Sequence, residues 1–292
     1  MSTMTKPLPS IEKERKARNI KATLANAPYT TWMAIFIAIP MVFVVYYAFT
    51  DSNGNFAFVD NFIDAWRFRN NFWRSFSFAI STTFITLVIG YPFAYFMTKQ
   101  RKYAQRMMMV LVMLPMWMNF LIRTYSWRNI LELNGILNRF LELFGVGPLF
   151  ILGTPGAVVL GMVYNFLPFM IIPLYTILSK LDKSVLEASS DLGASKWNTF
   201  RHVIFPLSMP GIITGATLVL VPALSTFYIA QELGNRRFDM AGDVIAREMR
   251  IHHNYNLGAA MALVLMLVIF VCLFLMTATN HYLFKRKGVI VS

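Results

Sequence analysis

The sequence predicts an all-α polytopic membrane protein with six transmembrane helices, and three observations carry that expectation. Of the 292 residues, 57% are apolar and only 14% are charged, whereas a soluble domain devotes about a quarter of its residues to charge. The apolar residues gather in six runs, most of them close to the roughly 20 residues that a helix needs to cross the hydrocarbon core. Lysine and arginine fall so unevenly between alternate connections that one membrane face is strongly positive, as a cytoplasmic face is.

In chain order the runs cover residues 31–49, 76–97, 107–122, 157–178, 211–230 and 257–278. The third is short and is expected to continue through Arg123 and Tyr125 to Trp127 at the far interface, with the long Arg123 side chain reaching the headgroups. The first run follows a polar tail, and no small-x-small cleavage site follows it, so it reads as an uncleaved first span. The chain therefore divides into a tail at 1–29, a transmembrane domain at 30–284 and a second tail at 285–292. The first tail is rich in charge and poor in large apolar residues, which suits a basic surface helix or a disordered segment.

Seventeen of the 27 basic residues lie on the side that holds both chain ends: six in the first tail, then Lys99, Arg101, Lys102, Arg106, Lys180, Lys183, Lys196, Arg201, Lys285, Arg286 and Lys287. Nine of the 14 acids lie on the other side. Six spans with both termini in the cytoplasm follow. The net charge of +13 then belongs to the inner membrane surface, so no nucleic-acid partner is expected. Outside lie three connections, at 50–75, 128–156 (helical in pattern over 130–144) and 231–256, none long enough for an independent domain. The lone Cys272 excludes an internal disulfide and reads as a small buried hydrophobe.

The apolar cores of the spans contain no Asp, Glu, Lys or His. Ion-coupled carriers keep such groups for proton or ion relay, and an intramembrane hydrolase needs a nucleophile and base or metal ligands. His252 and His253 are neighbours in an outer connection and read as solvated. No Gly-x-x-x-x-Gly-Lys-Ser/Thr phosphate loop occurs, which removes that route to ATP. No catalytic, metal or cofactor residue is assigned, and the energy for any transport must come from a partner.

Between spans four and five, the stretch 181–206 carries local signals of its own. Ser184 with Glu187 three residues on reads as a capping box. Leu186, Ala188 and Leu192 can face one way, while Glu187 and Asp191 share another face. Gly193 suits a left-handed helix end, Ser195 can cap a second short helix through Arg201, and Pro206 opens span five. The result is a rigid helix–turn–helix on the cytoplasmic side, a shape that an ordinary solvated connector could share.

The spacing adds more. Glu187-Ala188-Ser189, then Gly193, then Val203 ten residues later and Phe205-Pro206, resembles the Glu-Ala-Ala-x-x-x-Gly signature, followed by Ile-x-Leu-Pro, of the integral membrane subunits of bacterial ABC importers. Ser189, Val203 and Phe205 depart from it mildly. The resemblance implies the type I importer permease fold in a bacterial inner membrane, and a coupling helix at 184–192 seated in a cleft of an ATPase. Ser184, Leu186, Glu187, Ala188, Asp191, Leu192 and Gly193 would make that contact. It also implies a dimer of ATP-binding-cassette ATPases that holds ATP and Mg2+, a second homologous permease, and an extracytoplasmic solute-binding protein.

Several further stretches resemble the spermidine/putrescine branch of this family: residues 119–127, Leu167-Pro168-Phe169-Met170, residues 191–195, residues 205–212 and Phe227-Tyr228. A polyamine cargo is what that resemblance implies. Aromatic faces attract a desolvated cation by about 2 kcal/mol or more each. Trp117, Tyr125, Trp127, Tyr164, Phe169, Tyr175, Phe227 and Tyr228 could line its path, with Glu232 supplying charge near the outer mouth. The same rings also suit the aromatic belts of the membrane interface. Arg123 opposes a simple cation path unless it faces headgroups or pairs with Glu132. Pro168, Pro173 and Pro222 are expected to bend helices near the path. The same machine for another small solute, an amino acid or an oxyanion, fits similar signatures. The reading from another class is a self-sufficient channel or ion-coupled carrier.

Overall fold

Residues 26–287 are described by a computed structural model of the protein, and among them the chain forms twelve helices and no strand. The expectations for the first 25 residues of the basic tail lie outside the described residues. Helix α1 is Asn26–Phe49, α2 Phe58–Trp66, α3 Arg69–Thr98 and α4 Lys102–Trp117. Then come α5 (Phe120–Leu131), α6 (Ile136–Glu142), α7 (Pro155–Leu178) and α8 (Lys183–Asp191). The last four are α9 (Lys196–Ser225), α10 (Tyr228–Leu233), α11 (Ala241–Arg250) and α12 (Tyr255–Lys287). Five of them, α1, α3, α7, α9 and α12, are long and apolar enough to cross a membrane.

The third span departs from expectation. Instead of running on to Trp127, the chain ends α4 in a 3-10 turn over Leu114–Trp117, and the next helical segment leaves at 93°. Pro115 tightens that turn, and Met118 and Asn119 are non-helical, with ψ near 146° and 132°. Asn119 Oδ1 then accepts from the Leu121 N–H at 2.8 Å and starts α5 as a new helix, a standard N-cap. The helical pattern expected over 130–144 is likewise split, because the chain turns at 132–135 between α5 and α6. Span five ends at Ser225 and not at Ala230, and α10 follows separately.

Two π turns, Ala34–Ala38 in α1 and Phe200–Ile204 in α9, each end two residues before a proline, Pro40 and Pro206. Proline has no N–H to give to the carbonyl four residues back and its ring crowds that carbonyl. A widened turn is how each helix passes the site without breaking.

The core sits where α3, α7 and α9 meet, around the fully buried Met97, Met162, Met170, Leu174, Val219 and Leu224. Close approach needs glycine here. A Cβ at Gly215 would lie 2.7 Å from Met170 Sδ, and one at Gly90 3.2 Å from Met170 Cγ. Small residues at such crossings let membrane helices gain dispersion contacts where no hydrophobic effect drives them together. A second cluster, with Ala48, Ala65, Val244, Ala259, Ala260 and Met261, ties the C-terminal end of α1 to α2, α11 and the start of α12. In α1 itself only Ala48 is buried, so Trp32, Phe36 and Phe43 face outward, a surface suited to hydrocarbon and not to water.

The connection after α10 folds back onto the start of α3. Asn71 Nδ2 and Arg74 donate to the Asp239 carbonyl at 2.9 and 3.2 Å, and the Ala241 N–H donates to Ser75 Oγ at 2.7 Å. Arg247 pairs with the Asp239 carboxylate. His252 does not stand free: its Nδ1 lies 3.0 Å from Glu248 Oε2.

Candidate functional site

The 181–206 stretch forms a helix–turn–helix whose parts differ from the expected ones in three respects. The N-cap of α8 is Asp182, whose Oδ1 accepts from the Ser184 N–H at 3.0 Å; Ser184 lies inside the helix. That N–H holds the Asp182 carboxyl below its ordinary pKa. The serine–glutamate spacing masked this cap, although an aspartate before Lys183 was itself a visible signal. Leu186 turns inward against the core together with Ser189, while Ala188 and Leu192 face outward in line with Val185. Finally, the second helix is not short. It continues as one helix, α9, into span five.

The turn itself matches expectation. Gly193 adopts φ +78°. Its N–H donates to the Ser190 carbonyl at 2.9 Å, and the Ala194 N–H donates to that of Ser189 at 3.1 Å, the two bonds of a Schellman motif. Ser195 Oγ caps α9 by accepting from the Asn198 N–H at 3.3 Å. Ser189 and Thr199 join the two helices through a 3.0 Å hydroxyl pair. At the base, Trp197 stacks on Phe200 at 5.7 Å, and Phe200 packs edge-on against Tyr91 at 5.8 Å. Tyr91 in turn shares a buried 2.8 Å hydrogen bond with Ser208. The loop is thus rigidly joined to α3 and α9, yet it exposes apolar surface: Val185 is 42% and Leu192 88% exposed on α8, and Trp197 66% at the base. Glu187 and Asp191 are exposed beside that stripe. The projection therefore presents an apolar ridge with an acidic flank on its surface.

The residues expected to line a path fall into several groups on different helices. Trp127 and Tyr164 meet edge to face at 5.3 Å, and Glu232 lies 2.7 Å from Arg128, where Tyr228 and Tyr125 are within electrostatic reach. Tyr125, Trp127, Tyr164, Tyr228 and Glu232 therefore gather around α5 and α10. Phe227 and Tyr228 line a pocket of about 360 Å³ with Arg236, Arg250 and the Arg247–Asp239 pair, and Arg250 lies over the Phe227 ring at 5.8 Å. Trp117 stands 80% exposed at the break after α4. Phe169 packs near Phe166 at 6.4 Å, and Tyr175 donates to Gln105 Oε1 at 2.9 Å near the opposite end of α7.

Two expectations about charge are corrected. Arg123 neither faces headgroups nor pairs with Glu132; it is 9% exposed, lies over the Phe120 ring at 6.0 Å, and its Nε and Nη1 have no hydrogen-bond partner among the described residues. Glu232 does not stand as a free charge, because Arg128 neutralises it. Sequence reasoning passed over Arg128, since the pair spans 104 residues and no local pattern links its members.

Comparison with known proteins adds three findings. Residues 67–288 match the family described as binding-protein-dependent transport system inner membrane component. The chain is 38% identical over 265 residues to the spermidine/putrescine transport system permease protein PotB of Haemophilus influenzae, covering 88% of this chain and 93% of that one. The Escherichia coli protein of the same name is 36% identical, over 87% of this chain and 96% of its own. Among solved structures, a bacterial alginate ABC transporter in complex with an alginate pentasaccharide-bound periplasmic protein superposes with a TM-score of 0.74 at 16% identity, covering 94% of this chain and 98% of that one. At that identity the likeness is one of fold.

Proposed function

Since this chain belongs to the family of binding-protein-dependent transport system inner membrane components, we infer that its cargo is a polyamine, spermidine or putrescine. It is a multi-pass transport subunit and not an enzyme. The observation that carries the cargo is the likeness to polyamine permeases, which extends over 265 residues. A binding protein delivers the cargo outside, a second homologous permease completes the path, and a dimer of ATP-binding-cassette ATPases holds the ATP and Mg2+. This chain carries no cofactor of its own. Both termini lie in the cytoplasm, a reading that the excess of lysine and arginine on their side supports.

The α8–α9 projection is the contact with the ATPase. Val185, Ala188 and Leu192 form its apolar ridge, and Glu187 and Asp191 flank it. Asp182, the Gly193 turn and the inward Leu186 fix its angle. Closure of the ATPases around ATP moves the projection, and α9 carries that motion into the bundle as a rigid-body switch between inward-open and outward-open forms. On the outer side, Tyr125, Trp127, Tyr164 and Tyr228 supply ring faces to a cation, while Trp117, Phe169, Tyr175, Phe227 and Glu232 lie farther along the route or brace it.

A second reading, the same machine carrying a small oxyanion, is favoured by one observation: Arg236 and Arg250 line the outer pocket beside Phe227 and Tyr228, in addition to the Arg247 that Asp239 neutralises. One experiment separates the two. The complete transporter in proteoliposomes, with ATP inside and labelled spermidine plus the binding protein outside, should accumulate spermidine. An ATPase stimulated by oxyanion-loaded and not by polyamine-loaded binding protein establishes the second reading. Uptake by this chain alone, without ATPase, overturns both.

A further inference from the structure

Lys99, Arg101, Lys102 and Arg106 crowd the turn between α3 and α4, and none of them has an acidic side chain within 4.0 Å among the described residues. Lys99 lies over the Tyr95 ring at 5.0 Å. Lys102 and Arg106, one helical turn apart, instead border a pocket of about 370 Å³, whose other walls are Gln105, Tyr175, Met109 and Val110. Gln105 has its hydrogen bonds filled. Its Nε2 donates to the carbonyls of Thr98 and Gln100 at 3.2 and 2.9 Å, and its Oε1 accepts from the Tyr175 hydroxyl at 2.9 Å. The polar floor of the pocket is therefore fixed, and the two cations at its rim lack a counter-ion.

The pocket has two unlike ends. Lys102 stands at the first residue of α4, at the membrane surface. Val110 lies eight residues on, about 12 Å up the helix axis and into the apolar part of the span, with Met109 beside it. A free anion would use the cations and leave the apolar wall bare. A bare acyl chain would use the wall and leave two charges unmatched. A molecule with an anionic head and a hydrocarbon tail uses both, and basic pockets between membrane helices on the cytoplasmic side are known to take such headgroups.

We propose that this pocket is a binding site for an anionic phospholipid, its phosphate between Lys102 and Arg106 and its acyl chain along Met109 and Val110. Occupancy would hold the turn between α3 and α4 against Tyr175 of α7. The site stands whichever solute the chain carries, because it is read from retained lipid and not from transport.

The full chain, purified with its companion subunits, is placed in nanodiscs of phosphatidylglycerol and phosphatidylethanolamine in equal parts and then extracted into detergent. Native mass spectrometry reads which phospholipid stays bound. The native protein should retain phosphatidylglycerol preferentially, and Lys102→Gln with Arg106→Gln should weaken that preference roughly thirtyfold, at about a fivefold loss per cation. Arg101→Gln, in the same turn but outside the pocket, should change it by less than about fivefold. Val110→Trp, which fills the wall and keeps both charges, should also lower retention. An unchanged preference in the double variant, or an equal loss in Arg101→Gln, overturns the proposal. So does displacement of the lipid by inorganic phosphate, which marks a free-anion site. A disulfide between Arg106→Cys and a cysteine on a companion subunit also overturns it, because protein then covers the wall.

Discussion

Gly193 holds a left-handed conformation with nothing within 4 Å of where a Cβ would lie, so a side chain there meets no clash and costs only backbone strain. For an L-residue that strain is about 1–2 kcal/mol, enough to change the angle between α8 and α9. Gly193→Val is expected to lower ATP-driven uptake roughly tenfold or more while the chain still reaches the membrane fraction; Gly193→Asn, which tolerates this conformation, should keep most of it. Normal uptake by Gly193→Val would remove the coupling role from the turn. The Arg128–Glu232 pair is partly buried and 2.7 Å long. A double-mutant cycle of Arg128→Ala and Glu232→Ala, read by thermal unfolding, should show a coupling of about 1–2 kcal/mol. The Gly193 turn and the Ser195 cap were readable one residue at a time, because caps are local, whereas Asp182 was hidden by the Ser184–Glu187 spacing beside it. Arg123 and Arg128 were not, since their partners, or lack of them, come from elsewhere in the chain.

Asp243 on α11 is 1% exposed, and burial pushes its carboxyl up to about 7. The Met240 N–H donates to it at 2.8 Å and Arg247 lies near, which both oppose the rise, while Asp239 adds to it. The folded state therefore binds a proton that the unfolded chain, with a carboxyl near 4, gives up. Its stabilising share is whole below about pH 4 and is lost as pH climbs through about 7. Thermal unfolding of the purified protein across that interval should fall with rising pH, and Asp243→Asn should flatten the slope. A slope unchanged in Asp243→Asn assigns the dependence to other groups.

At the scale of elements, the runs of apolar residues predicted where helices are and misjudged where they stop. Hydrophobic periodicity reports which side chains avoid water, and in the third span it continues across the break without interruption. The 93° bend depends on α5 packing against α10 and on the Asn119 cap, neither of which a 20-residue window sees. The same limit explains why span five seemed to run past Ser225 and why α9 was divided at Pro206: a proline was read as a boundary where a π turn lets the helix continue. Asn119→Ala should cost about 1 kcal/mol, measured as a lower unfolding temperature. Asn119→Asp, which can accept the same Leu121 N–H, should recover most of it. Equal losses in both variants would mean that the cap does not hold the bend.

For the whole molecule, composition and charge were enough to give an all-helical membrane protein, and the family match agrees with that class. The bundle of α3, α7 and α9 was beyond reach, because every span looks alike in hydropathy and only close approaches such as Gly90 and Gly215 select neighbours. The candidate site divides in the same way. Its projection followed from caps and spacing, whereas the aromatic residues chosen for a path turned out to be spread along the protein's height. Orientation is testable directly. In a Cys272→Ser background, Phe56→Cys, 78% exposed, should react with an impermeant thiol reagent on intact cells. Leu192→Cys, 88% exposed, should react only in inverted vesicles. The reverse pattern would turn the molecule over.

Helix α9 spans 30 residues from the turn at Gly193 to Ser225, about 45 Å of continuous rod. Its proline sites are passed by a π turn and by packing, not by a hinge. A lever of that length converts small angles into useful distances: a tilt of about 5° displaces its far end by about 4 Å. That is close to the width of a side chain. A push too slight to unseat Leu186 or the Ser189–Thr199 hydroxyl pair at one end would thus shift the other end by a side chain's width.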